Sequence, residues 1–195
     1  MPINKPYYQT ARPFSGGFYM RSNHSDYTRH QKYAKTPQNF IQAYTLIRKD
    51  LITLFECVEP ADQNLKTFSF RTYEILFRAC TEVETNFKSI LRANRYTLRP
   101  PENWSMTDYS RVNVSHYLDQ YEVKVPYWKG AKSIRKPFGV WSGSTGRPTQ
   151  PLNWYGAYNR AKHDRSDAIK LATFEHTVDA VCGLLVLLLF TILCK

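Results

Sequence analysis

The chain has 195 residues, 43% hydrophobic and 15% aromatic, which suits one domain with a real core and excludes a wholly disordered polypeptide. Its formal net charge of +11, from 27 Lys and Arg against 16 Asp and Glu, favours polyanionic partners: RNA, DNA or an acidic membrane surface. Cys57, Cys80, Cys182 and Cys194 form no Cys-x-x-Cys pair, so no zinc knuckle is visible and buried free thiols in a reducing compartment are the simplest reading.

Residues 1–35 read as an irregular arm. Lys5, Arg12, Arg21, Arg29, Lys32 and Lys35 stand there against one acid, Asp26, with seven interleaved Tyr and Phe. Such a segment can grip single-stranded nucleic acid by charge and stacking, or pack along its own domain. It lacks the continuous apolar stretch of a secretory signal. Thr36-Pro37 then predicts a helix start, Thr as cap and Pro at the first helical position. Phe40, Tyr44, Ile47, Leu51, Leu54, Phe55 and Val58 form its apolar stripe, and Pro60 ends it. A second helix is expected over about 70–94, with Tyr73, Leu76, Phe77, Cys80, Val83, Phe87, Ile90 and Leu91 inward. Glu84 and Lys88 make an i,i+4 pair beside that stripe.

Residues 95–150 change character. Five prolines interrupt any long helix, and Tyr121–Val125 alternates as a short strand does. The region reads as an irregular, partly extended insertion whose Tyr and Trp pack onto the helices. Ser142–Arg147 reads as a surface turn, since it lacks phosphate-loop spacing. A third helix should begin near Leu152–Asn153 with Asn153 as cap, and break at Asp164–Ser166. A last helix, capped by Ser166, should run from about Asp167 to the C-terminus. Its uncharged run Ala180–Cys194 falls short of the ~20 residues that a membrane span needs. A core or dimer-interface helix is favoured over a tail anchor. The expected fold class is therefore all-α, a four-helix bundle with the insertion between the second and third core helices.

The stretch Asn153–Arg165 concentrates the chemistry. On a helix, Asn159 and His163 lie one turn apart on one face, and Lys162 lies over Tyr158. His can move protons near neutral pH, Asn can orient it or donate to an oxyanion, and Lys and Arg can hold phosphate. A solvated helix carrying a surface His is the plain alternative.

Tyr158-Asn159-x-x-Lys162-His163, followed by Asp164-Arg165, resembles the active-site motif of the HEPN superfamily: Arg, a polar residue, three to five variable residues, then His. Asn159 and His163 match it; Tyr158 stands where Arg is expected, with Arg160 and Arg165 close by. Arg78-Ala-Cys-Thr-Glu82-Val-Glu84, then Lys88, resembles the first long core helix of such proteins. The resemblance spans roughly residues 37–94 and 150–194 and makes residues 36–195 an HEPN-like helical domain.

The resemblance implies one of two functions. The first is a metal-independent RNA endonuclease of a bacterial toxin or antiphage defence type. His163 would then be general acid or base and Asn159 would orient it. Tyr158 would occupy the site at the Arg position, and Arg160, Lys162 and Arg165 would bind RNA or stabilise the phosphorane. The second is a non-catalytic module that binds RNA, a nucleotide or a partner protein and regulates a defence system. Tyr158 motivates the second, because a neutral phenol cannot replace a guanidinium fork. In either case the expected partners are RNA, a second copy of the chain and a partner protein such as an antitoxin. No metal, no cofactor and no membrane are expected, and the location is cytoplasmic.

Overall fold

The computed structural model describes residues 37–143 and 151–189, without the side chains of residues 37, 165, 167 and 189. The arm 1–35, most of the Ser142–Arg147 turn and Cys194 lie outside the described residues. The fold is mostly α-helical, with a single two-stranded ladder among the described residues. Helix α1 spans Pro37–Cys57 and α2 spans Phe70–Ala93. The end of α1 and both ends of α2 agree with the sequence reading, whereas the expected Thr36 cap lies outside the described residues. Ser69 Oγ accepts from the Thr72 amide at 3.1 Å, and Thr72 Oγ1 accepts from the Ser69 amide at 2.8 Å, a reciprocal cap. At the other end Arg95 turns left-handed (φ 51°), and the amides of Arg95 and Tyr96 reach back to the carbonyls of Arg92 and Leu91 at 3.0 Å each.

The insertion follows as short pieces: α3 (Met106–Tyr109), α4 (Asn113–His116), and strands β1 (Val123–Lys124) and β2 (Ile134–Arg135). The strands pair antiparallel, Val123 with Arg135 and Lys124 with Ile134. The alternation at 121–125 was thus a strand signal, trimmed to two residues. The insertion packs as its aromatic content predicted. Tyr109 stacks on Phe87 of α2 with centroids 5.2 Å apart, and Phe138 and Trp141 close round the same ring at 6.1 Å. All four rings are buried.

Two polar fastenings hold the insertion down. Asp62, in the α1–α2 connection, accepts from Trp128 Nε1 at 2.7 Å and from the amides of Ala131 and Lys132 at 2.8 and 3.1 Å. These bonds, the Trp128 one foremost, hold its carboxyl below the usual range. The turn around Asp62 requires Gly130: its φ is +124°, and a Cβ there would sit 2.4 Å from the carboxylate. The second fastening is Arg135. Its Nε and Nη2 donate to the Asp179 carboxylate at 2.6 and 2.8 Å, Nη2 also reaches Glu175 at 3.2 Å, and its guanidinium lies 6.0 Å from the centroid of Trp128. Burial works against the charge of Arg135, but its bonds to Asp179 outweigh burial and push its pKa up.

Helix α5 (Asn153–His163), the short α6 (Arg165–Ala168) and α7 (Phe174–Leu189) complete the fold. The last helix begins later than expected, and Ser166 does not cap it. The cause is long-range. The amides of Phe174 and Glu175 donate to Thr67 and Leu65 carbonyls at 2.7 and 3.0 Å, so the α1–α2 connection fixes where α7 starts. Helix α7 packs against α1, α2 and α5. Val178, Val181, Leu184, Val186, Leu187 and Leu188 are all buried within the one chain. The described part of the uncharged run is therefore intramolecular core, which is why it is apolar on nearly every side. No helix among the described residues is long and apolar enough to cross a membrane. Cys80 and Cys182 are buried free thiols as expected, whereas Cys57, on the outer face of α1, is exposed.

Two outcomes follow from this packing. Asp179→Ala leaves the Arg135 guanidinium buried with only Glu175 beside it and should cost about 3 kcal/mol, read by urea denaturation. His116 is buried at the end of α4, and burial pushes its pKa down from 6.5 to about 4. Between those values the unfolded chain takes up the proton and the folded one does not, so stability should fall as pH drops through that window, by about 3 kcal/mol in full. His116→Gln should flatten that stretch of the pH–stability curve.

Candidate functional site

Helix α5 divides its residues between two environments. Trp154, Ala157, Tyr158 and Ala161 are buried against α2 and α7, one apolar face at helical spacing. Trp154 is fixed further by its Nε1 donating to the Pro137 carbonyl at 2.9 Å. Asn153, Asn159, Arg160, Lys162 and His163 are exposed on the remaining faces. Asn153 is the first residue of the helix and not its cap; Leu152 takes that place, with no side-chain cap bond.

A cleft of about 630 Å³ opens between α5, the C-terminal half of α2 and the 102–107 segment. Asn159, Lys162 and Tyr155 line it from α5, Glu84 and Lys88 from α2, and Trp104, Ser105 and Thr107 from the insertion. The Glu84 carboxylate organises one wall. It accepts from the Tyr155 hydroxyl at 2.7 Å and lies 3.5 Å from Lys88 Nζ. Burial, reinforced by that bond, pushes the Tyr155 phenol far above its usual range, so it remains a donor. Opposite, Asp108 anchors the insertion wall. It accepts from the Tyr96 hydroxyl at 2.7 Å, from the Ser105 amide at 2.9 Å and from Ser105 Oγ at 3.1 Å, and Arg99 lies 3.7 Å away.

The six residues singled out from the sequence are not gathered in one place. Asn159 and Lys162 line the cleft. Arg160 is exposed on α5 and is not among the lining residues. His163 ends α5, one turn beyond Asn159, exposed and outside the cleft lining. Arg165 opens α6, and its side chain lies outside the described part of the structure. Tyr158 is only 3% exposed. Its ring meets Phe77 edge-on with centroids 4.9 Å apart, and burial raises its pKa, with the Glu84 charge acting in the same direction. Lys162 Nζ sits 5.5 Å from the Tyr158 ring centroid, a cation–π contact. The tyrosine thus props the lysine at the cleft mouth from below.

Sequence reasoning treated Glu84 and Lys88 as an ordinary helix pair and passed over Tyr155, Trp104, Ser105 and Thr107. The i,i+4 spacing was legible. The insertion wall carried no local signal, because Trp104 reaches the cleft only once Asp108 has organised its loop. Among the described residues no group of three His, Cys, Asp or Glu is placed to hold a metal ion. The lining offers two lysines, an amide, hydroxyls and aromatic rings beside the carboxylates of Glu84 and Glu102, and Glu84 is already engaged by Tyr155 and Lys88, so the groups left for a phosphate are Lys162 and Asn159. No family model, curated protein or solved structure matches the chain.

Tyr155→Phe should remove the charge-assisted bond to Glu84 and cost about 1.5–3 kcal/mol. Tyr158→Ala should cost about 3–5 kcal/mol, as expected for a large buried ring. Thermal or urea unfolding of the two variants separates an internal prop from a surface site residue.

Proposed function

We propose that the chain is an HEPN-like module that binds RNA at the α5 cleft without cutting it and serves as a regulatory component of a bacterial defence or toxin system. The observation that carries this reading is the split between neighbours on α5. Asn159 and Lys162 face the cleft, while Tyr158, at the position where the resemblance expects Arg, is packed into the core against Phe77. A phosphate held by Lys162 and Asn159 gains charge and a hydrogen-bond donor. Nothing supplied by Tyr158 reaches it, so the guanidinium fork that would steady a phosphorane is missing at that position. Lys88 adds a second cation across the cleft, and the rings of Trp104 and Tyr155 lie in the same lining.

A second reading, the metal-independent endoribonuclease, is favoured by one specific arrangement. His163 is exposed one turn from Asn159 and directly follows Lys162, so a general acid or base, an amide and a cation share one end of α5. In that reading a 2′-hydroxyl gives its proton to the neutral imidazole of one His163 and attacks the adjacent phosphorus, and the P–O5′ bond breaks as the 5′-oxygen takes a proton from the imidazolium of a second copy's His163. A second copy of the chain would supply a second such set.

One experiment separates the two. The purified protein is incubated with single-stranded RNA in EDTA, and binding and fragment ends are read together. The binding-module reading expects a retarded but intact RNA. Asn159→Ala and Lys162→Ala should each weaken binding about tenfold, and His163→Ala should change it little. Fragments ending in 2′,3′-cyclic phosphate, lost in His163→Ala with melting unchanged, would establish the ribonuclease instead. RNA that neither binds nor breaks would sink both.

A further inference from the structure

We propose that the cleft is the end of a longer track for a single-stranded nucleic acid, in which Lys88, Arg92 and Arg95 hold successive phosphates. The inference rests on the cleft being the RNA site, since Lys88 belongs to both. Between Glu84 and Glu102 the chain carries Lys88, Arg92, Arg95 and Arg99 and no acid. Lys88 and Arg92 are one turn apart on α2, an advance of about 6 Å along the helix, and Arg95 follows at the turn that ends it. Arg92 and Arg95 are exposed, and neither takes part in an ion pair among the described residues. Arg99 lies 3.7 Å from Asp108, and the Arg111 guanidinium lies 5.9 Å from the centroid of Tyr96. The corner where α2 meets the insertion is thus ringed by guanidinium groups; of the acids near it, Asp108 is engaged by Tyr96 and Ser105, Glu84 by Tyr155 and Lys88, and Glu102 lies at the cleft lining.

Arg95 occupies the left-handed position of the helix-ending turn (φ 51°), where glycine is the residue without a steric penalty. The chain keeps an arginine there at a conformational cost and gains no ion pair from it among the described residues. Tyr117 and Tyr127 share that conformation (φ 50° and 61°), so what sets Arg95 apart is its place in the cation line that Lys88 and Arg92 begin. A strand of nucleic acid fits better than a flat anionic membrane. Its phosphates can follow the cation line while a base leaves that line and enters the cleft, beside Trp104 and Tyr155. A lipid plane cannot enter it.

The test compares a short ligand with a long one, using fluorescence anisotropy on the full chain. The ligands are uridine monophosphate and an oligouridylate of about 12 nucleotides. In Arg92→Ala/Arg95→Ala the slope of log affinity against log salt for the oligouridylate should fall by about 1.4, at about 0.7 per lost phosphate contact, with mononucleotide binding unchanged. Arg95→Gly should loosen the oligouridylate while its melting temperature holds or rises, which separates lost contact from lost fold. An unchanged salt slope in the double variant overturns the track. Binding to phosphatidylserine vesicles that the double variant loses, with oligouridylate binding intact, overturns it in favour of a membrane. Failure of the cleft reading looks different: Asn159→Ala and Lys162→Ala leave both nucleic-acid ligands bound while the double arginine variant still releases the long one.

Discussion

Arg135 is the interaction on which most of the architecture depends. A guanidinium on a two-residue strand holds two carboxylates one turn apart on the last helix, Glu175 and Asp179. Burying such an ion is unfavourable unless every donor is used and the geometry is good. Here the fork is met bidentately by Asp179, extended to Glu175 and lies near Trp128, whose ring in turn stacks on Phe174 with centroids 5.9 Å apart. Because β2 is tied to α7 in this way, the following residues Pro137–Trp141 are delivered to the core. Phe138 meets Trp154 edge-on, and the Pro137 carbonyl receives the Trp154 indole. The register of α5, and with it the direction in which Asn159 and Lys162 face, is set by that chain of contacts.

Tyr158 shows how one residue can look chemical in sequence and be mechanical in space. Its neighbours Asn159 and Lys162 are one and four positions along the helix, so all three read as one polar cluster. The helix rotates by about 100° per residue, which is enough to place Asn159 at the cleft while Tyr158 faces Phe77. The phenol keeps a polar tip in the core, near Thr81, and offers its ring to the Lys162 ammonium. An arginine at this position would have to bury its charge beside Phe77.

How much was legible in the sequence can be judged element by element. The end of α1 and the extent of α2 were readable because local signals decide them: Pro60 and the inward stripes; the Ser69–Thr72 cap that fixes the start of α2 is local too but went unread. The all-helical class followed from the same stripes. The start of α7 was not readable, because its first amides are satisfied by carbonyls more than a hundred residues earlier in the chain, a partner that no local window contains. The exposed Cys57 was misjudged for a different reason: it sits among apolar neighbours on α1 but on the outer face. Of the residues singled out in the sequence, Asn159 and Lys162 line the cleft and His163 does not, while Trp104, Ser105 and Thr107 come from an insertion whose path depends on Asp108 and Arg135.

The bonds from Phe174 and Glu175 to Thr67 and Leu65 also bear on the order in which the molecule assembles. They close a loop of more than a hundred residues, and the most buried helix of the fold cannot finish its first turn until that loop has closed. Closure of that length is entropically expensive and gains stability only when the apolar surfaces on both sides meet at once. The α1–α2 hairpin, built from neighbouring segments, can form early but leaves its inner face open to water. Collapse of α7 into that face is then a late, non-local step, and the folding rate is governed by it rather than by the helical propensity of the parts.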